Sequence, residues 1–240
     1  MARAIARGWG DPVLCSDCGS GRAALLAHEL GGRAAGNVEV AEDADLVVLC
    51  HKPGQLHGVA EEIRGLVKAV ASVLGAVSTE QLQSAYPGVP VFRLMPNTPV
   101  EVRRGVVCYA PAGEVEPGLE GEVLALFERL GTVVRIEDRL FDVVGAVTGV
   151  GPAYQALLAE AQVDAAVRRG LSPALAGPLV VETMAGSAEL LRARDYDTLT
   201  VRREVTSPGG STARGLDALE RGGVRAAFQA AIDRVCEAGR

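Results

Sequence analysis

The sequence predicts an α/β protein: a doubly wound sheet followed by an all-helical C-terminal region. Three observations lead there. Short β-rich runs alternate with helical runs from about residue 11 to 137. Several of those runs are continuously apolar, as strands buried on both faces are. From Asp138 onward the β signal stops and helix follows helix. The predicted division is 1–137 and 138–240.

In chain order, residues 1–8 read as a helix and Val13–Ser16 as the first strand present. Further strands are expected at Leu46–Cys50, Ala71–Val77, Val91–Leu94, Val106–Ala110 and Thr132–Ile136. Helices are expected between them at Gly21–Leu30, Gln55–Lys68, Thr79–Ala85 and Gly118–Leu130. The second region reads as helices over Leu140–Val147, Pro152–Arg169, Pro173–Arg192, Leu199–Val205, Ser211–Arg221 and Val224–Glu237. Gly170 ends one helix, and Ser172-Pro173 opens the next as N-cap and first residue.

Composition narrows the function classes. Hydrophobic residues make up 48% of the chain, enough for a packed core, but aromatics only 4%, so packing rests on Ala, Val and Leu. The net charge of −6 and the lack of a Lys/Arg run argue against nucleic acid or an anionic membrane as partner. Charged residues or Gly interrupt every apolar stretch, so no membrane span is expected, and a cytoplasmic protein is. Five cysteines, an odd number, do not suggest a disulfide framework. Cys15-x-x-Cys18 stands alone, without a second ligand pair, so no metal is expected.

The segment Val205-Thr206-Ser207-Pro208-Gly209-Gly210-Ser211-Thr212 carries the most chemistry. Paired glycines allow close backbone approach, and a helix starting just after them turns unpaired N–H groups toward the loop. Such a bend suits a small anion such as a carboxylate. Ser207, Ser211 and Thr212 add hydroxyl donors. A plain helix–helix turn with a Ser/Thr cap is the alternative.

Together with Ala213-Arg214-Gly215-Leu216-Asp217-Ala218-Leu219-Glu220, this segment resembles the C-terminal signature of pyrroline-5-carboxylate reductases. Arg93-Leu94-Met95-Pro96-Asn97-Thr98-Pro99 resembles that family's Met-Pro-Asn-Thr-Pro segment. Thr148-Gly149-Val150-Gly151-Pro152-Ala153-Tyr154 resembles its Ser-Gly-Ser-Gly-Pro-Ala-Tyr block. The three stand in family order, and the resemblance covers essentially the whole chain. It implies a Rossmann-like nucleotide domain, a helical dimerisation domain and a homodimer or higher homo-oligomer. It further implies reduction of 1-pyrroline-5-carboxylate to proline, with NADP or NAD as cofactor and a small molecule as substrate.

The resemblance also assigns residues. Thr212 is expected to bond the imine nitrogen, with Ser207, Gly209, Gly210, Ser211, Thr148, Gly149 and Gly151 around the substrate. Ser16, Asp17, Lys52, Pro53, Met95, Pro96 and Asn97 are expected at the cofactor. Asp17 stands in Ser16-Asp17-Cys18-Gly19, where family members often carry Asn-Arg-Ser/Thr; it would accept from a ribose hydroxyl and repel a 2′-phosphate, which leans toward NAD, with Arg22 one turn on as the alternative contact for a phosphate and a helix N-cap as the competing role of Asp17. Two departures stand out. The family's first strand and its Gly-x-Gly-x-Met turn are missing, with Met1 in the Met position. The expectation is an internal Met, the alternatives being a defective chain or one that has abandoned its cofactor. Val150 stands where the family commonly has Ser, which admits another cyclic imine as substrate. A non-catalytic dimeric paralogue is the third reading.

Overall fold

The computed structural model describes residues 1–238. It divides into two compact units, Met1–Pro152 and Ala153–Ala238. The first unit begins with α1 (Ala2–Trp9), closed by Gly10 in the left-handed region. Then come β1 (Leu14–Cys15), α2 (Arg22–Leu30), β2 (Arg33–Ala34), α3 (Asn37–Asp43), β3 (Val47–Leu49), α4 (Leu56–Ile63) and β4 (Val70–Ser72). α5 (Thr79–Ala85), β5 (Val91–Pro96), β6 (Gly105–Ala112), α6 (Pro117–Glu128), β7 (Gly131–Arg135) and α7 (Phe141–Val144) complete the set. α7 runs on into a π-helical turn, Gly145–Gly149.

The strands form two sheets. β1 and β2 pair in parallel, and β3-β4-β5-β6-β7 form a separate five-stranded sheet. β1 and β3 thus have one neighbour each, as expected of a fold without its first strand. β6 runs antiparallel to β5, from Val91 opposite Ala112 to Pro96 opposite Val107. The connection of eight residues between β5 and β6 is too short for a crossover, so the chain must reverse. β2 and α3 were not anticipated: Arg33-Ala34 is two exposed residues without an apolar run.

Alternation across the five-stranded sheet separates two cores. Val47, Leu49, Val70 and Val91 face Ala41, Leu56, Ala60, Ile63 and Leu82 of α3, α4 and α5. Ala71, Phe92, Leu94, Val107 and Tyr109 face Ile5 of α1 and Val123 and Phe127 of α6. Local signals start the helices: Ser78 and Gln81 cap α5 reciprocally, and the Glu116 carboxylate accepts from Gly118 and Leu119 ahead of α6. α1 comes close to the turn 98–102 at Gly8, where a Cβ would meet the Val100 carbonyl. Trp9 stands edge-on to Phe127, and its indole N–H donates to the Leu126 carbonyl at 2.9 Å.

The second unit is α8 (Gly151–Arg168), α9 (Pro173–Arg192), α10 (Thr198–Glu204), α11 (Ser211–Arg221) and α12 (Val224–Ala238). Its described residues have almost no core of their own: among Ala153–Glu237 the one buried apolar residue is Ala176. Leu157, Leu175, Leu179, Val181 and Leu219 are each at least half exposed. Among the described residues α9 is the one helix long and apolar enough to cross a membrane by length and composition, its two glutamates diluted by Ala, Leu and Val.

Candidate active site

In a parallel sheet the loops after the strand C-termini share one edge, where ligands bind. After β1, the Asp17 carboxylate closes the loop that leads into α2. It accepts from the N–H of Gly19, Ser20 and Ala23 at 2.7, 3.0 and 2.8 Å and from the Ser20 hydroxyl at 2.9 Å. These donors, the Ala23 N–H foremost, hold its pKa down to about 2. All four lone-pair sites are committed, so the acceptor expected for a ribose hydroxyl is already filled. Ser16 is likewise engaged, donating to Asn37 Oδ1 at 2.7 Å.

Beside this loop lies a cavity of about 340 Å³ lined by Asp17, Gly19, Gly21, Ala23, Ala24, Ala34 and Ala35. Asp17 is the one charged residue among them. Gly19 and Gly21 adopt φ of +86° and +75°, which keeps side chains out of the space in front of α2. The walls of the cavity are small side chains and its mouth is wide open. After β3, His51, Lys52 and Pro53 form the next loop, with His51 Nδ1 bonded to the Lys52 carbonyl at 2.9 Å and Nε2 buried without a partner. Lys52 is exposed at the strand end.

After β5, Asn97 is buried and its amide is fully placed. Oδ1 accepts from Val106 N–H at 2.8 Å, and Nδ2 donates to the Thr148 carbonyl at 3.2 Å. Thr148 in turn donates its hydroxyl to Val144 at 3.0 Å and contacts the Cys108 thiol. The structure therefore brings Met95, Pro96, Asn97 and Thr148 together in the first unit. Residues 138–148 pack along β5, within the compact unit that runs to Pro152. Sequence reasoning passed over Arg93 here. It is 6% exposed, pairs with Asp138 at 2.7 Å, and lies 3.8 Å over the Phe141 ring. The available signal was the two-residue spacing of Arg93, Met95 and Asn97.

The second group lies in the other unit. Gly209 takes φ +66°, and Gly210 is the N-cap of α11 without a side-chain cap. Gly210 was expected to offer its N–H to a carboxylate, but that N–H closes a turn onto Ser207 O at 3.0 Å. The tight bend forces this, since a Cβ on Gly210 would strike Ser207. The first α11 residue bonded back into the helix is Arg214, to Gly210 O. Ser211, Thr212 and Ala213 thus carry the unpaired N–H groups of the first turn. Thr212 is half-buried, and the helix cap is Gly210 rather than its hydroxyl. Gly149 and Gly151 have open space where a Cβ would stand. Among the described residues no three His, Cys, Asp or Glu side chains converge as metal ligands.

A parallel-dominated sheet, a separate β1–β2 pair with a small-walled cavity in front of α2, and helices that leave their apolar faces uncovered make a Rossmann-like α/β domain followed by a helical assembly unit. Comparison with known proteins narrows this. Residues 138–240 match the sequence model for pyrroline-5-carboxylate reductase dimerisation. A pyrroline-5-carboxylate reductase of Synechocystis is 36% identical over 198 residues, covering 82% of this chain and 74% of that protein. The Mycobacterium tuberculosis reductase is 36% identical over 238 residues, covering 88% and 81%. The chain belongs to the pyrroline-5-carboxylate reductase family. Solved structures agree: the Streptococcus pyogenes enzyme superposes with a TM-score of 0.90 at 27% identity over 100% of this chain and 94% of that one. The Plasmodium falciparum enzyme, with NADP bound, gives 0.86 at 26% identity over 98% and 92%.

Proposed function

We propose that this protein reduces 1-pyrroline-5-carboxylate to L-proline as a cytoplasmic homodimer or higher homo-oligomer. The observation that carries the reading is the first turn of α11: three unpaired N–H groups beside the Thr212 hydroxyl, the donor set for a carboxylate next to a ring nitrogen. A dinucleotide would be held by the cavity beside Asp17, by the Lys52-Pro53 loop and by Met95, Pro96 and Asn97. When bound, a reduced nicotinamide supplies hydride to the carbon of the C=N bond. The chain's own residues bind and orient the imine acid. The Ser211 and Thr212 amides anchor its carboxylate, and the Thr212 hydroxyl bonds its nitrogen, favouring the iminium form that makes the carbon electrophilic. A threonine is a positioning donor here rather than a strong acid.

The adenosine end favours NADH over NADPH. The loop amides that could hold a 2′-phosphate already serve Asp17, whose ionised carboxylate repels one. Nearby Arg33 is spent on Glu39 and Asp43. The half-buried Val150, in place of the family's common Ser, supports a second reading in which a different cyclic imine is the substrate. The test is oxidation of NADH and NADPH with pyrroline-5-carboxylate and with six-membered cyclic imino acids. Turnover of the five-membered acid supports the first reading. Turnover of six-membered acids alone supports the second, and none with any imine sinks both.

A further inference from the structure

β5 presents Arg93 and Met95 to the sheet face that Val91 begins, and Asn97 follows directly after the strand. Each holds a successive point of one segment. Arg93 Nη1 donates to Asp138 Oδ1 at 2.7 Å, and its guanidinium covers Phe141. The Met95 sulfur packs against Gly145, 3.3 Å from where a Cβ would stand. Asn97 Nδ2 reaches the Thr148 carbonyl. Segment and strand run in the same sense. Four strand steps span about 13 Å and ten helical residues about 15 Å, so the contacts keep pace.

Arg93 is the costly member. A buried guanidinium needs partners, yet its Nε has none. An apolar side chain of similar length would fill the space without that penalty. What the charge adds is direction: a planar fork fixed on Asp138 and stacked on Phe141 sets where α7 starts. Four residues on from the start of α7 begins the π-helical turn that presents the Thr148 carbonyl to Asn97 and places Gly149.

We propose that Arg93 is a positioning residue: it fixes residues 138–148 along β5 and so places Asn97 and the Thr148-Gly149 turn for catalysis. The catalytic half of this statement rests on the reductase reading; the structural half does not. The test uses Arg93→Met and Asp138→Asn, read by amide hydrogen exchange, dinucleotide titration and steady-state kinetics. Exchange over residues 141–149 should quicken about tenfold or more in both, while β3, β4 and β6 keep their protection. kcat should fall about tenfold and the dinucleotide Kd should rise about threefold or more, since Asn97 is placed at the cofactor. Unchanged exchange over 141–149, or an even rise across the whole sheet, would overturn the proposal. So would quickened exchange with kcat intact, which would leave Arg93 a purely structural residue. Should Arg93→Met fail to fold, Asp138→Asn decides, since that side chain is 37% exposed. A wild type that turns over no imine sinks the reductase reading, while the exchange data still decide the placement of the segment.

Discussion

At the scale of single residues, the site separates groups already committed from groups held ready. Asp17 is committed. Its folded pKa of about 2 lies below the ordinary 3.8, so its contribution to stability is complete above about pH 4 and is lost as pH falls toward 2. Asp17→Asn should therefore flatten that part of an acid-unfolding curve followed by circular dichroism, and should raise NADPH affinity relative to NADH in a binding titration. Thr212, half-buried on the first turn of α11, is the nitrogen-bonding hydroxyl of the proposed mechanism. Thr212→Ala should lower kcat by about a hundredfold while leaving the dinucleotide Kd within about twofold, and unchanged turnover would remove it from the mechanism. Burial pushes the Cys50 thiol up to about 11 and raises Cys108 as well, whereas Cys18 is exposed. Alkylation at about pH 8, read by mass spectrometry, should mark Cys18 and spare the other two.

At the scale of elements, close approach sets what the sequence tolerates. A Cβ on Gly8 would meet Val100 O and lie 2.7 Å from Leu130 Cδ2. Gly8→Ala should destabilise the first unit by about 1–3 kcal/mol, measured by urea unfolding. Much of the architecture was legible in the sequence because continuous apolar runs such as Leu46–Cys50 announce buried strands, and Gly170 and Ser172-Pro173 mark helix ends. β2 was not legible, since Arg33-Ala34 is a ladder without an apolar signal. The reversal of β6 was hidden in the short link after Asn97. The candidate site could be picked out where glycines and prolines make rare patterns, as at Gly209-Gly210 and Pro96-Asn97. It could not be where roles depend on partners far along the chain: Arg93 meets Asp138 across 45 positions, and the Gly210 N–H is consumed by a carbonyl three residues back.

At the scale of the whole molecule, the helical unit is built for company. α9 leaves Leu175, Leu179 and Val181 half exposed, and the family's dimerisation domain spans residues 138–240. The protein is expected to sediment as a homo-oligomer. Leu179→Glu should weaken that association about thirtyfold or more by analytical ultracentrifugation, and an unaltered oligomer would move the contact elsewhere. Trp9 is the sole tryptophan of the chain. Its indole is wedged between α1 and α6, with Phe127 at 5.4 Å between ring centres. Nature has thus supplied an optical gauge wired to one unit and blind to the other. Emission tracks the melting of the nucleotide-binding half alone, while ellipticity sums both halves. Any gap between the two melting curves measures how independently the halves come apart.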